Sequence, residues 1–355
     1  MATLPKIHPI DVELESGDLC WIDEIPAFSV ISDSVGSCAV SVDIDGSEIH
    51  ADRLYMTEQG ASEFFIRDIL REEMEAASKV FAVVTLTATN TVGSATFRLN
   101  VVYRSRIFAG TAATFCRANF LTLSPVRSIP AVRSDEIYYL QFPGETLTKV
   151  TETVTVDSVG TPEVATVSET VAAVNSYKLI RVLVPIADSS GESQPEAVSV
   201  SCGTRRATWY IVDGADNLFR FTNAFGVTEN LYARASVASK LTVKGSVATI
   251  RARLLRYDVE ETEQITATFA PAMGADIVRI GLLASAPNLT WSALIDNVSS
   301  GGVQIIVESF EAVDDEDPDK LPSPTLTFRT VDNTPRVTPP VAGRVHTTPH
   351  SSQYN

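Results

Sequence analysis

The sequence predicts a mainly β protein: an immunoglobulin-like β-sandwich followed by a larger β-sandwich or barrel domain, with few short helices and an extended C-terminal arm. Three observations carry this prediction. Short Val- and Thr-rich segments with period-two alternation recur along most of the chain, punctuated by Gly, Pro, Asn and Asp. The segment VFAVVTLTATNTVGSATFRLNVVY reads as a hairpin of the kind that closes an immunoglobulin-like sandwich, with Asn90-Thr91-Val92-Gly93 as its turn. Helical periodicity surfaces only in two short places.

Residues 1–104 form the first expected domain. Its strands are Asp11–Leu14, Cys20–Ile22, Ala27–Ile31, Cys38–Ile44, Glu48–Tyr55, Val80–Asn90 and Ala95–Tyr103, and Asp45-Gly46 turns the fourth into the fifth. Between Ser62 and Ala77, Ile66, Leu70 and Met74 recur every four residues, which predicts a helix capped by Ser62. The rival is a strand over Glu63–Ile66 with a short helix after it. From Arg104 to Arg133 the pattern is irregular, but Phe115, Phe120, Leu121 and Leu123 are too apolar for a free linker, so this segment is expected to pack on the second domain.

The second domain, 105–332, is organised around Trp209–Tyr257. A strand over Thr208–Val212 runs into the turn Asp213-Gly214. The aromatics Phe219, Phe221 and Phe225 then gather around Asn223 and Gly226 as the expected core of this domain, and alternating strands follow from Leu231. Before this stretch lie strands at Tyr138–Phe142, Thr146–Val156, Glu163–Thr170, Tyr177–Val184 and Ala197–Cys202. After it come Leu241–Tyr257, Gln264–Phe269, a short helix around Ile277–Leu283, Val303–Phe310 and Thr325–Arg329. The Thr/Val alternation of 146–170 predicts a solvent-facing surface with a buried opposite face, and such strands also serve as pairing edges in assemblies. Residues 333–355 hold Pro335, Pro339, Pro340 and Pro349 with no acidic residue, an extended arm rather than a packed element.

Composition narrows the function classes. With 355 residues the chain has room for more than one core, and 45% apolar with 20% charged residues fits a folded protein. A formal charge of −16 opposes a phosphate backbone, so nucleic acid is not an expected partner. The N-terminus lacks the basic start and apolar run of a secretory signal, and no window approaches the roughly 18 apolar residues of a membrane span, so neither secretion nor membrane insertion is expected. Cys20, Cys38, Cys116 and Cys202 are widely spaced without a zinc pattern and read as buried thiols, although Cys20 and Cys38 could face each other across neighbouring strands.

No constellation carries chemistry. Asp213-Gly214-Ala215-Asp216-Asn217 clusters oxygen ligands, but without the alternation and distal glutamate of a calcium loop it reads as a turn. The acidic run Asp314–Asp319 reads as a solvated loop. His8, His50, His346 and His350 fall in no hydrolase or metalloprotease motif, and the sequons at Asn288 and Asn297 lack a secretory context. No catalytic, cofactor or metal residue is therefore assigned.

Several segments together carry a resemblance: IRDILREEME before the hairpin ending NVVYR, FLTLSPVRSIPAVRSDEIYYL, LFRFTNAFGVTENLYARASVASK, and LLASAPNLTW followed by LTFRTVDNTPR. In this order of features the chain resembles structural, tail-region virion proteins of phages and prophages of Bacteroides-type bacteria. The resemblance implies a non-enzymatic virion component of the tail, tail tip or baseplate, made in the bacterial host cytoplasm. It would act by self-association as a homo-oligomer and by docking to other virion proteins. Thr334, Pro335, Arg336, Pro339, Pro340 and Arg344 of the arm are the expected partner-binding residues. The alternative is a receptor- or glycan-binding module at a particle tip or cell surface. A β-sandwich glycosidase would need two facing carboxylates about 5–10 Å apart, and the sequence singles out no such pair.

Overall fold

The computed structural model describes residues 3–32, 37–57, 61–105, 109–130, 134–156, 160–186, 195–212, 214–250, 253–270, 274–295, 298–299, 301–312 and 322–331. The chain is mainly β and divides into two compact units. The first comprises Met1–Gly214 with Arg220–Leu231, the second Ala215–Phe219 with Tyr232–Asn355.

The first unit begins with a sandwich built from β1 (Lys6–Pro9), β2 (Leu19–Trp21), β3 (Phe28–Ile31), β4 (Ser37–Ile44), β5 (Ser47–Tyr55), β6 (Ala61–Phe64), α1 (Arg67–Ala76), β7 (Phe81–Thr89) and β8 (Ser94–Val102). One sheet has the order β1-β3-β6 and the other β2-β8-β7-β4-β5. The first two strands are shared between the sheets, and β2 runs parallel to the last strand, β8. This is an immunoglobulin-like strand order. Alternation puts Cys38, Val40, Val42 and Ile44 of β4 inward with Ala82, Val84, Leu86 and Ala88 of β7. The expected turn at Asp45-Gly46 has φ of 51° and 84°, the left-handed pair that matches the twist of a two-residue hairpin.

Two local expectations are corrected. Asp11–Leu14 is not a strand: Asp11 sits at φ 60°, which interrupts an extended backbone, and Lys6–Pro9 pairs with β3 instead. Ser62 caps no helix, because it pairs with Val30 in the sheet; the rival reading holds, a strand to Phe64 and then α1, which buries Leu70 and Met74.

The first unit continues with α2 (Ala112–Ala118), β9 (Val126–Ile129), β10 (Ser134–Gln141), β11 (Leu147–Val156), β12 (Pro162–Val171), β13 (Lys178–Pro185), β14 (Ala197–Cys202) and β15 (Arg205–Ile211). One sheet has the order β12-β11-β14-β15-β9, and β10 pairs with β13. The α2 helix lies where the sequence read as irregular; Thr111 caps it, its side chain accepting the Thr114 N–H at 3.3 Å. A single apolar cluster joins Trp21, Val80 and Val102 to Ala112, Cys116, Leu121, Leu140 and Phe225, all within this unit. The ring of Trp21 lies 5.6 Å from Phe115 and 6.0 Å from Phe225.

The remaining strands are β16 (Asn217–Thr222), β17 (Thr228–Ala233), β18 (Ala235–Ile250), β19 (Arg253–Phe269), β20 (Leu289–Ile295), β21 (Val298–Ser299), β22 (Val303–Glu311) and β23 (Thr325–Thr330), with α3 (Gly274–Ala284). Their sheet order is β17-β16-β20-β22-β23-β19-β18, with β21 beside β20. The expected single strand over Leu241–Tyr257 is two strands, because Ile250 pairs with Arg253 across a reversal. In the second unit Phe219 packs on Phe269 and Phe328, at 5.6 and 6.2 Å between ring centroids. Phe219 and Phe225 therefore serve different cores, rather than one as expected.

Candidate interaction surfaces

The sharpest polar arrangement lies inside the first unit. Asp135, on β10, accepts from Arg127 Nη1 at 2.9 Å, from Trp209 Nε1 at 2.8 Å and from Asn230 Nδ2 at 3.1 Å. Glu229 stands 3.5 Å from Arg127 Nη2 and accepts from Asn223 Nδ2 at 2.6 Å. Burial works against the Arg127 charge, but Glu229 and Asp135 outweigh it and hold the guanidinium above its ordinary pKa. The side chains of Arg127 and Asp135 are 1% and 0% exposed, so this pair cannot reach a substrate and acts as a structural tie.

Asn223 organises the turn between β16 and β17. Its Oδ1 accepts the N–H groups of Phe225 and Val227, while Nδ2 reaches the carbonyl of Leu121 at 2.8 Å as well as Glu229. Gly226 has φ 79°, and a Cβ there would meet Tyr103 at 3.3 Å. Sequence reasoning singled out Asn223 and Gly226 but missed Asp135, Arg127 and Glu229. Their only signal was charge inside alternating apolar strands.

Two further ties follow the same rule. Arg104, 2% exposed, forks onto Asp23 at 2.5 and 2.7 Å and reaches Glu24 at 3.1 Å, above the Trp21 ring. Burial alone would raise the Asp23 pKa, but the Arg104 hydrogen bond and charge more than offset it, so the carboxyl sits below its usual range. Arg205 donates to the carbonyls of Cys116 and Leu140. All four cysteines are buried free thiols, and burial pushes Cys20 and Cys116 up to about 12. Cys20 and Cys38 do not face each other, since β8 and β7 separate β2 from β4.

What the fold leaves open is strand rather than cleft. From Ser236 to Val247 every residue of β18 is exposed or half-buried, so neither face of this stretch is covered. Among the described residues its partner β19 is joined to β23 over Ile265–Thr268, which leaves a long two-stranded ribbon beyond that point. Residues 240–256 carry Lys240, Lys244, Arg251, Arg253 and Arg256 and no acidic residue, in a chain of formal charge −16. The second open element is β12, a sheet edge exposed at nine of its ten positions. The expected buried face of the Thr/Val hairpin is absent from β12, because only β11 reaches partial cover. A depression of about 160 Å³ on the same sheet is lined by Val150, Glu152, Ser199, Ser201, Arg206 and Thr208.

Among the described residues, no three His, Cys, Asp or Glu side chains converge as a metal site requires. Asp216 is used structurally, accepting from Asn217 Nδ2 at 2.7 Å and from the Ala235 N–H at 2.9 Å. His50 stacks on Phe64. Asp213, Asp314–Asp319 and the arm residues Thr334, Pro335, Arg336, Pro339, Pro340 and Arg344 lie outside the described residues. No helix among the described residues is long and apolar enough to cross a membrane.

No protein-family model and no curated protein matches the sequence. Among solved structures, the chain is similar to CBD12 from CALX1.2, at 11% identity over 59% of this chain and 82% of that one, with a TM-score of 0.18. It is also similar to an I-band fragment of titin, at 10% identity over 76% of this chain and 94% of that one, with a TM-score of 0.18. At these scores the immunoglobulin-like assignment rests on the strand order of the chain itself.

Proposed function

We propose that this protein is a non-enzymatic structural subunit of a phage virion, in the tail or its distal end, working by self-association and docking to neighbouring subunits. The β18–β19 ribbon is the observation that carries the reading. From Ser236 to Val247 β18 is uncovered on both faces, and a two-stranded hairpin without a further layer is at best marginally stable alone, because it buries too little to offset its ordering entropy. Contact with a neighbour would supply the missing burial. Within the ribbon Lys240, Lys244, Arg251, Arg253 and Arg256 nearly balance Asp258, Glu260, Glu261 and Glu263, so two copies meet there without the repulsion that a charge of −16 imposes elsewhere. The virion setting comes from the resemblance of the sequence segments.

The test is the mass of the full-length protein by light scattering, beside a variant in which Asn-Gly replaces the residues between Leu241 and Glu263, which pair across the ribbon. The expected result is an assembly for the full chain and a folded species of lower mass for the shortened one. An equal mass for the two, monomeric or assembled, refutes self-association through the ribbon. Antibody labelling of particles induced from the encoding bacterium checks the setting, and unlabelled particles containing no trace of the chain speak against it.

A further inference from the structure

We infer that β12 pairs with β12 of a second copy, antiparallel about a two-fold axis at Val167, extending the β12-β11-β14-β15-β9 sheet across the dyad. This deepens the self-association reading and rests on it. Exposed edge strands are ordinarily blunted by charged side chains, lysine above all, by internal proline, a bulge or a cover, because their free N–H and C=O groups template pairing. Of these β12 carries only Glu163 and Glu169. In PEVATVSETV there is no lysine, and the only proline is its first residue. Its ten pairs with β11 run without a register break, so no bulge turns it away. Val164 and Val167 are 57% and 67% exposed, and no described element covers them.

The glutamates select the register. Residues of one parity share a face, which puts Glu163, Ala165, Val167, Glu169 and Val171 together. A dyad at Thr166 would set Glu163 opposite Glu169 of the other copy twice, a like-charge opposition that destabilises a strand pair. Moving the dyad one residue, to Val167, takes the glutamates out of direct opposition and leaves them as diagonal neighbours about 7–8 Å apart. Glu163 then faces Val171, Glu169 faces Ala165, Val167 meets its own copy, and the strand stays paired from Glu163 to Val171. A dyad at Ser168 also avoids direct opposition but shortens the pairing to 165–171, and one at Glu169 sets that glutamate against its own copy. Glu169 already has a partner in its own copy, since Lys149 approaches it at 2.5 Å. One strand pair is a small interface of the transient class, so it joins subunits reversibly rather than irreversibly.

The test uses the full-length protein. Directly opposed residues of an antiparallel pair have Cα atoms about 4.5–5.5 Å apart, within disulfide reach. Val164 lies six positions from its own copy in this register, roughly 20 Å at about 3.4 Å per residue. Under mild oxidation Val167→Cys is therefore expected to form covalent dimers at least tenfold faster than Val164→Cys. Val167→Lys, at an exposed position where folding is checked by circular dichroism, is expected to weaken association at least tenfold by sedimentation. Equal cross-linking of the two cysteine variants, or unchanged association of Val167→Lys, overturns the pairing. If either happens while the wild type still assembles and ribbon shortening still dissociates it, the β12 contact fails and the broader self-association reading stands. A wild type that stays monomeric throughout the concentration series overturns both.

Discussion

Replacing Asp135 with alanine removes the acceptor on which three elements converge. Three hydrogen bonds are lost, from Arg127 Nη1, Trp209 Nε1 and Asn230 Nδ2. Arg127 stays buried, with Glu229 at 3.5 Å as its remaining carboxylate. Removing one partner of a buried ion pair costs about 3–5 kcal/mol, because the other charge is stranded away from water. Residual pairing with Glu229 argues for the middle of that range, so the expected loss is about 4 kcal/mol. With a urea slope near 3 kcal/mol/M, the midpoint falls by roughly 1.3 M. The assay is urea unfolding followed by tryptophan fluorescence, since Trp209 is itself a member of the network. The conservative change Asp135→Asn keeps the shape and loses the charge, and should fall between wild type and Asp135→Ala. A midpoint for Asp135→Ala within about 0.3 M of wild type, equivalent to about 1 kcal/mol at that slope, would refute the claim that this network ties the first unit together.

Three other outcomes are expected. Gly226→Ala combines a left-handed φ of 79° with a Cβ 3.3 Å from Tyr103, and should lower stability by about 1–2 kcal/mol in the same unfolding assay. The four thiols are buried, so a disulfide-exchange reagent at pH 8 should label none of them in the native protein and all of them in denaturant; fast native labelling of Cys20 or Cys116 would contradict the packing. Because the folded pKa of Asp23 is depressed, its stabilising contribution is present above the unfolded value of about 3.9 and is lost as pH falls through the folded one. The difference in thermal midpoint between wild type and Asp23→Asn should therefore shrink as the buffer is taken below about pH 4, and a difference independent of pH would contradict the ion pair.

Strands such as β4 and β7 were legible because one face of each is buried, which alternation in the sequence records directly. The same alternation misled at β12. Period-two patterning tells which residues share a face, but not whether any element covers it. The α2 helix escaped notice because seven residues span too few turns for a period to show. Asp135 was invisible as a centre, since its partners come from positions 127, 209 and 230, a convergence that only the fold creates. The ribbon was half legible: its strand character was read, but the reversal between Ile250 and Arg253 carries no Gly, Asn or Pro to mark a turn.

The chain does not finish one unit before starting the next. Ala215–Phe219 belongs to the second unit, Arg220–Leu231 returns to the first, and Tyr232 onward belongs to the second again. A ribosome releasing this chain in order therefore exposes five residues of the later unit before the earlier one can close around Asn223 and Phe225. No single cut in the gene yields either unit whole: truncation after Gly214 leaves the first without the Glu229 and Asn230 that complete the Asp135 network, and starting at Tyr232 leaves the second without Phe219. A single proteolytic cut at either crossing therefore separates neither unit with all of its own residues.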